Sequence, residues 1–98
     1  MIRVKVYRQG RETLVAACDS EIIGKTFKSK ELKITVSEGF YGGDSGGEDM
    51  LVNRLEMATV ANLVGRKTVD AAIRHGFVDP ACVLMIGEVP HAQMARMI

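Results

Sequence analysis

Glu48-Asp49-Met50-Leu51-Val52-Asn53-Arg54-Leu55-Glu56-Met57-Ala58-Thr59-Val60-Ala61-Asn62-Leu63-Val64-Gly65 is the run whose period sets the architecture. Leu51, Val52, Leu55, Ala58 and Val60 or Ala61 fall at helical spacing, with Asn53, Arg54 and Glu56 on the opposite side. Just upstream, Ser45-Gly46-Gly47-Glu48 has the Ser-x-x-Glu form of a capping box, and Gly65 is a natural stop. The spacing therefore predicts one helix of about four turns. Arg66-Lys67-Thr68 opens a second helix with Val69, Ala72 and Ile73 on one face, ended by Gly76 and covered by Phe77 in a Schellman-type contact. The two are expected to form a helical hairpin. A DNA-reading helix-turn-helix is not expected, because a recognition helix needs polar side chains facing a groove and this one carries Val69, Ala71, Ala72 and Ile73.

Before the capping box lies Gly39-Phe40-Tyr41-Gly42-Gly43-Asp44-Ser45-Gly46-Gly47, with five of the ten glycines and two of the five aromatic residues. Glycines let backbone approach a ligand, the first amides of a helix are partly positive, and Phe40 and Tyr41 offer faces for a base. Asp44, Glu48 and Asp49 would repel phosphate, and no GxGxxG or Walker pattern is present. Asp44 to Gly47 is thus explained as hinge and cap, and the binding expectation rests on Phe40, Tyr41, Gly42 and Gly43.

The half before the loop is strand-like. Ile2, Val4 and Val6 alternate with Arg3, Lys5 and Tyr7, and Gly10 turns the chain into Thr13 to Cys18, a more buried strand, so the pair reads as an antiparallel hairpin. A single helical turn follows over Glu21 to Ile23, and Leu32, Ile34 and Val36 mark a third strand with Lys33 on its polar face beside the first strand's basic side chains. Toward the end, Cys82 to Ile86 reads as a central strand buried on both faces, and Met94 to Ile98 as an edge strand entered through Pro90. The expected fold is α+β: one domain over residues 1–98, a small and mostly antiparallel sheet of four or five strands packed against the two-helix hairpin.

With 98 residues, 47% of them hydrophobic and 26% charged, the chain can bury a core without a metal or disulfide. No apolar run approaches a membrane span and no signal peptide is evident, which suggests a cytoplasmic protein without a membrane partner. Cys18 and Cys82 read as two buried thiols. Residues 1 to 36 carry eight Lys or Arg against four acids, and residues 37 to 58 one against five, so the chain is polarised rather than basic. Arg3, Lys5 and Lys33 are the candidate basic surface. His91, with Gln93 beside it, is the most enzyme-like position, and Cys18 and Asp19 are weaker catalytic candidates. Cys18, Cys82, His75 and His91 stand in no metal-ligand spacing, so neither metal nor cofactor is expected.

Val15-Ala16-Ala17-Cys18-Asp19, Gly24-Lys25-Thr26-Phe27, Phe40-Tyr41-Gly42-Gly43, Ala58-Thr59-Val60-Ala61-Asn62-Leu63-Val64-Gly65 and Val89-Pro90-His91-Ala92-Gln93, in that order over nearly the whole chain, resemble the short archaeal proteins of the domain of unknown function 424 family. The resemblance implies a cytoplasmic archaeal protein of this length, carries no activity or catalytic residue, and tilts toward translation and RNA. With Asn62 from the fourth motif, the binding set is Phe40, Tyr41, Gly42, Gly43, Asn62, His91 and Gln93. The leading expectation is a non-catalytic accessory factor that binds RNA or ribosomal components. The alternatives are a small-molecule-binding protein or enzyme with a pocket between Phe40–Gly43 and His91, and a protein-interaction or self-associating subunit with an apolar patch along Met94, Met97 and Ile98.

Overall fold

The hairpin forms as its alternation predicts: β1 (Ile2–Gln9) and β2 (Glu12–Asp19) pair antiparallel along their whole length, with Gly10 at φ 61° in the turn. The computed structural model of the chain describes residues 1–96. A 3-10 turn (Ser20–Ile22) leads to β3 (Thr26–Lys28), β4 (Lys33–Thr35), the short helix α1 (Glu38–Tyr41), β5 (Asp44–Gly46) and α2 (Glu48–Met57). Then come β6 (Val60–Val64), α3 (Arg66–Arg74), a second 3-10 turn (Pro80–Cys82), β7 (Leu84–Ile86) and β8 (Val89–Ala95). Six strands make one mixed sheet in the order β5-β1-β2-β6-β8-β7, while β3 and β4 form a separate ribbon.

The α+β class stands, but the four or five strands and the helical hairpin do not. Residues 48–65 are a helix followed by a strand: α2 stops at Met57, Ala58 is extended with ψ 140°, and β6 runs parallel to β2 in the middle of the sheet. From Ala58 to Val64 only Thr59 and Asn62 are polar, so a continued helix would have had almost no face for water, whereas a strand can bury both sides. Ala61 and Leu63 enter one core, and Val64 enters the other. Arg96 secures the helix end: its Nε donates to Ala58 O at 2.9 Å, and Nη2 to Leu55 O and Glu56 O at 2.5 and 2.6 Å. These are carbonyls of the last helical turn, of which Leu55 O also accepts from Ala58 N at 3.2 Å.

The capping box is also absent. Ser45 lies in β5 and Gly47 stands at the helix start without a side-chain cap. Glu48 turns to α3 instead, accepting from Arg74 at 2.8 Å through both oxygens and lying 2.7 Å from His75 Nε2, contacts that hold its carboxyl down to about 2. The Schellman end of α3 is as expected: Phe77 N donates to Ala72 O at 2.9 Å, and Gly76 N, at φ 80°, to Ile73 O at 3.0 Å.

The sheet is the middle of three layers. The α2 and α3 helices bury Leu51, Leu55, Val69 and Ala72 against Val4, Val15, Leu63 and Met94 on one face. On the other, the β3–β4 ribbon and α1 lay Val36 and Tyr41, with Phe27 and Ile34, over Ala16, Cys18, Val64 and Val89.

The two C-terminal strands exchange their expected places. β8 is interior, between β6 and β7, and β7 is the edge, with Leu84 and Met85 exposed at 47% and 46%. Pro90 is tolerated inside the sheet because its nitrogen faces Gly65 O, which accepts from Val69 N at 2.9 Å in the first turn of α3 instead. Met94 is buried rather than part of an exposed patch, while Met97 and Ile98 lie outside the described residues. Cys82 is exposed and both cysteines are free.

Asp19, at the end of β2, positions α3. It is buried, its Oδ2 accepting from Lys67 N at 3.1 Å and its Oδ1 from Thr68 N and Thr68 Oγ1 at 2.9 and 2.8 Å. Gly65 makes room for it: φ is 109°, and a Cβ there would stand 2.5 Å from the Asp19 carboxyl carbon. Asp19→Ala is expected to lower stability by about 2–3 kcal/mol, measured by denaturant unfolding, since it strands buried donors at a helix start. Gly65→Ala should cost more in the wild-type background than in Asp19→Ala; equal costs in a double-mutant cycle would show that the two positions do not meet.

Candidate functional site

The polar face of β1 does not stand free; it collects the glycine loop. Arg3 donates from Nε to Gly43 O at 3.0 Å and from Nη2 to Gly42 O at 3.1 Å, Lys5 Nζ to Gly39 O at 2.9 Å, and Tyr7 OH to Phe40 O at 2.7 Å. Gly43 lies so close to β1 that a Cβ would collide with the Val4 carbonyl oxygen. Gly43 thus serves contact with the sheet, and Arg3 and Lys5 of the expected basic surface donate to backbone carbonyls within the fold. Ser37 Oγ accepts from Phe40 N at 3.2 Å at the start of α1. Held in this way, Phe40 stacks on Tyr7 with centroids 5.5 Å apart and meets the edge of Tyr41 at 4.9 Å.

Tyr41 carries the loop to the sheet. Its ring is buried and its hydroxyl donates to Asn62 Oδ1 at 2.8 Å; His91 Nε2 lies 2.9 Å from the same oxygen. An amide oxygen has no proton to give, so His91 donates from Nε2 and keeps Nδ1 as an acceptor. Burial holds His91 below its usual 6.5 and pushes Tyr41 up to about 12, so the chain of three is neutral near pH 7. Asn62 sits opposite Ala16 in β2 and Gln93 in β8, which places exposed Gln93 on the same face. Phe40, Tyr41, Asn62, His91 and Gln93 therefore gather on one side of the sheet, and Leu14 and Val60 on that side are only half-buried.

Other candidates are placed elsewhere. Cys18 is fully buried, and desolvation, then the Asp19 charge, pushes its thiol up to about 12, so no thiolate is present at neutral pH. Asp19 is occupied as the α3 cap. Lys33 lies on the ribbon opposite Lys28, not beside β1. A hollow of about 360 Å³ beside His91 is lined by Cys82, Leu84, His91, Ala92 and Gln93, and contains none of Phe40 to Gly43. The loop and His91 meet through Asn62. Tyr7 was missed as a site residue, although its place on the outward face with Arg3 and Lys5 was readable from the alternation of β1.

A profile of the family described as "Protein of unknown function (DUF424)" matches residues 7–97. The chain belongs to this family. No curated protein matches it. A crystal structure of an uncharacterized conserved protein from Methanopyrus kandleri, 22% identical, aligns over 99% of this chain and 95% of that one with a TM-score of 0.81. The two chains thereby share a fold at low identity. No helix among the described residues is long and apolar enough to cross a membrane.

Because His91 is lowered by burial, the unfolded chain takes up its proton first as pH falls. The stability it contributes is complete above 6.5 and is lost on acidification from there toward its lower folded value. NMR titration is expected to place His91 below 6.5 with the proton on Nε2, and His91→Gln to flatten the pH dependence of stability in that range. A midpoint at or above 6.5 would contradict the assignment.

Proposed function

We propose that this protein is a non-catalytic accessory factor that binds single-stranded RNA on the open part of the sheet, in the setting of translation. The observation that carries the reading is the joining of Tyr41, Asn62 and His91 into one neutral hydrogen-bonded chain beside the stacked Tyr7–Phe40 pair. Aromatic faces accept any base, and Asn62, Gln93 and the free Nδ1 of His91 supply the donors and acceptors that read a base edge. Unstacked bases are available in single strands and loops, and not in a duplex, whose grooves would require a protruding helix or ribbon of polar side chains. A neutral amide, phenol and imidazole in a shared hydrogen bond suit recognition better than acid–base or covalent chemistry.

A second reading, a protein-interaction subunit, draws on the exposed edge strand β7 with Leu84 and Met85 outward. Self-association through that edge would be abolished by Met85→Lys, as read by sedimentation, without altering RNA affinity.

Fluorescence anisotropy with single-stranded RNA at low salt should show binding that Phe40→Ala weakens about tenfold, the loss of roughly 1–3 kcal/mol of stacking. Duplex DNA should compete poorly. Absence of RNA binding at low salt, or equal competition by duplex DNA, would overturn the reading.

A further inference from the structure

The ribbon of β3 and β4 and its flanks carry four exposed lysines, the larger of two groups of unpaired positive charge among the described residues. Lys25, Lys28, Lys30 and Lys33 are all exposed, and Glu31 is the one acid among residues 25–35. Among the described residues none of these four lysines makes an ion pair or a side-chain hydrogen bond. Seven other cations are engaged, Arg3, Arg54, Lys67 and Arg74 with carboxylates and Lys5, Arg66 and Arg96 with backbone carbonyls, while Arg8 and Arg11 at the β1–β2 turn are exposed and, like the four lysines, unpaired among the described residues. Lys28 and Lys33 stand directly opposite each other across the ribbon, an arrangement of like charges that destabilises a strand pair.

The ribbon is nevertheless firmly seated. Phe27 and Ile34 pack into the same cluster as Phe40 and Tyr41, Thr26 and Thr35 join hydroxyls at 2.9 Å, and Gly87 leaves room for the Lys28 carbonyl, which a Cβ would approach to 2.7 Å. A rigid arm bearing four unpaired lysines thus lies on the same face of the sheet as Phe40 and Tyr41. Resting on the RNA reading above, we propose that the β3–β4 ribbon holds the phosphate backbone of the RNA whose bases lie against Tyr7, Phe40 and Asn62. Lysine suits this role because it is a mobile point charge that follows a variable backbone without reading sequence.

The test is anisotropy of a fluorescein-labelled oligouridylate with the full chain across a potassium chloride series. The combined variant Lys25→Gln, Lys28→Gln, Lys30→Gln, Lys33→Gln is compared with wild type and with Phe40→Ala, each checked for folding by circular dichroism. Removing four phosphate contacts should flatten the slope of log K against log salt by roughly 2.8, about 0.7 per contact for a single strand. Phe40→Ala should weaken binding and leave the slope unchanged. An unchanged slope in the lysine variant, with Phe40→Ala still weakened, would overturn the ribbon's role and leave the sheet reading standing. A flattened slope with no effect of Phe40→Ala would support the ribbon as an RNA-backbone site and sink the sheet reading. No binding by wild type, or displacement of RNA by polyglutamate at equal charge concentration, would overturn both.

Discussion

One carboxylate holds the fold's centre together. Asp19 ends β2, accepts from the first amides of α3, and lies where Gly65, the residue between β6 and α3, has no side chain. Gly65 in turn donates to Pro90 O in β8 and accepts from Val69 N in the helix. Three neighbouring strands and a helix therefore meet at one point. The parallel pairing of β2 with β6 brings Asp19 beside the helix start, so a residue with the chemistry of a catalytic acid is consumed in architecture.

A similar economy governs the basic residues of β1. Arg3 and Lys5 alternate outward as a solvent face would, yet a loop whose carbonyls lack strand partners lies over them and takes their donors. Backbone acceptors removed from water need partners as much as side chains do. The lysines of the β3–β4 ribbon, by contrast, stay exposed and make no ion pair or side-chain hydrogen bond among the described residues.

Between these features runs the Tyr41–Asn62–His91 chain. A polar residue in a central strand is costly unless its amide is satisfied, and Asn62 accepts from two side chains, one 21 residues before it and one 29 after it. The arrangement ties α1 to β6 and β8 and orients Phe40 against Tyr7. Its neutrality near pH 7 follows from burial.

Much of this was legible in the residues. The alternation of Ile2, Val4 and Val6 with Gly10 behind them specified the β1–β2 hairpin, Gly76-Phe77 specified the end of α3, and residue type singled out Phe40-Tyr41 and His91 separately, with their meeting only an alternative. These are local rules: side-chain period, positive φ at glycine, and aromatic residues beside a turn. Only tertiary structure decided that Val60 to Val64 is a strand, that β8 is interior while β7 is the edge, and that Asp19, Arg3 and Lys5 are internal partners. A short apolar run carries helical and strand periods nearly equally, and propensity separates them by tenths of a kcal/mol per residue, whereas burying such a run between two strands contributes about 1.5–3 kcal/mol for each large side chain. The strand with which Val60 to Val64 pairs in parallel lies 46 residues away in sequence, so the deciding term was nonlocal.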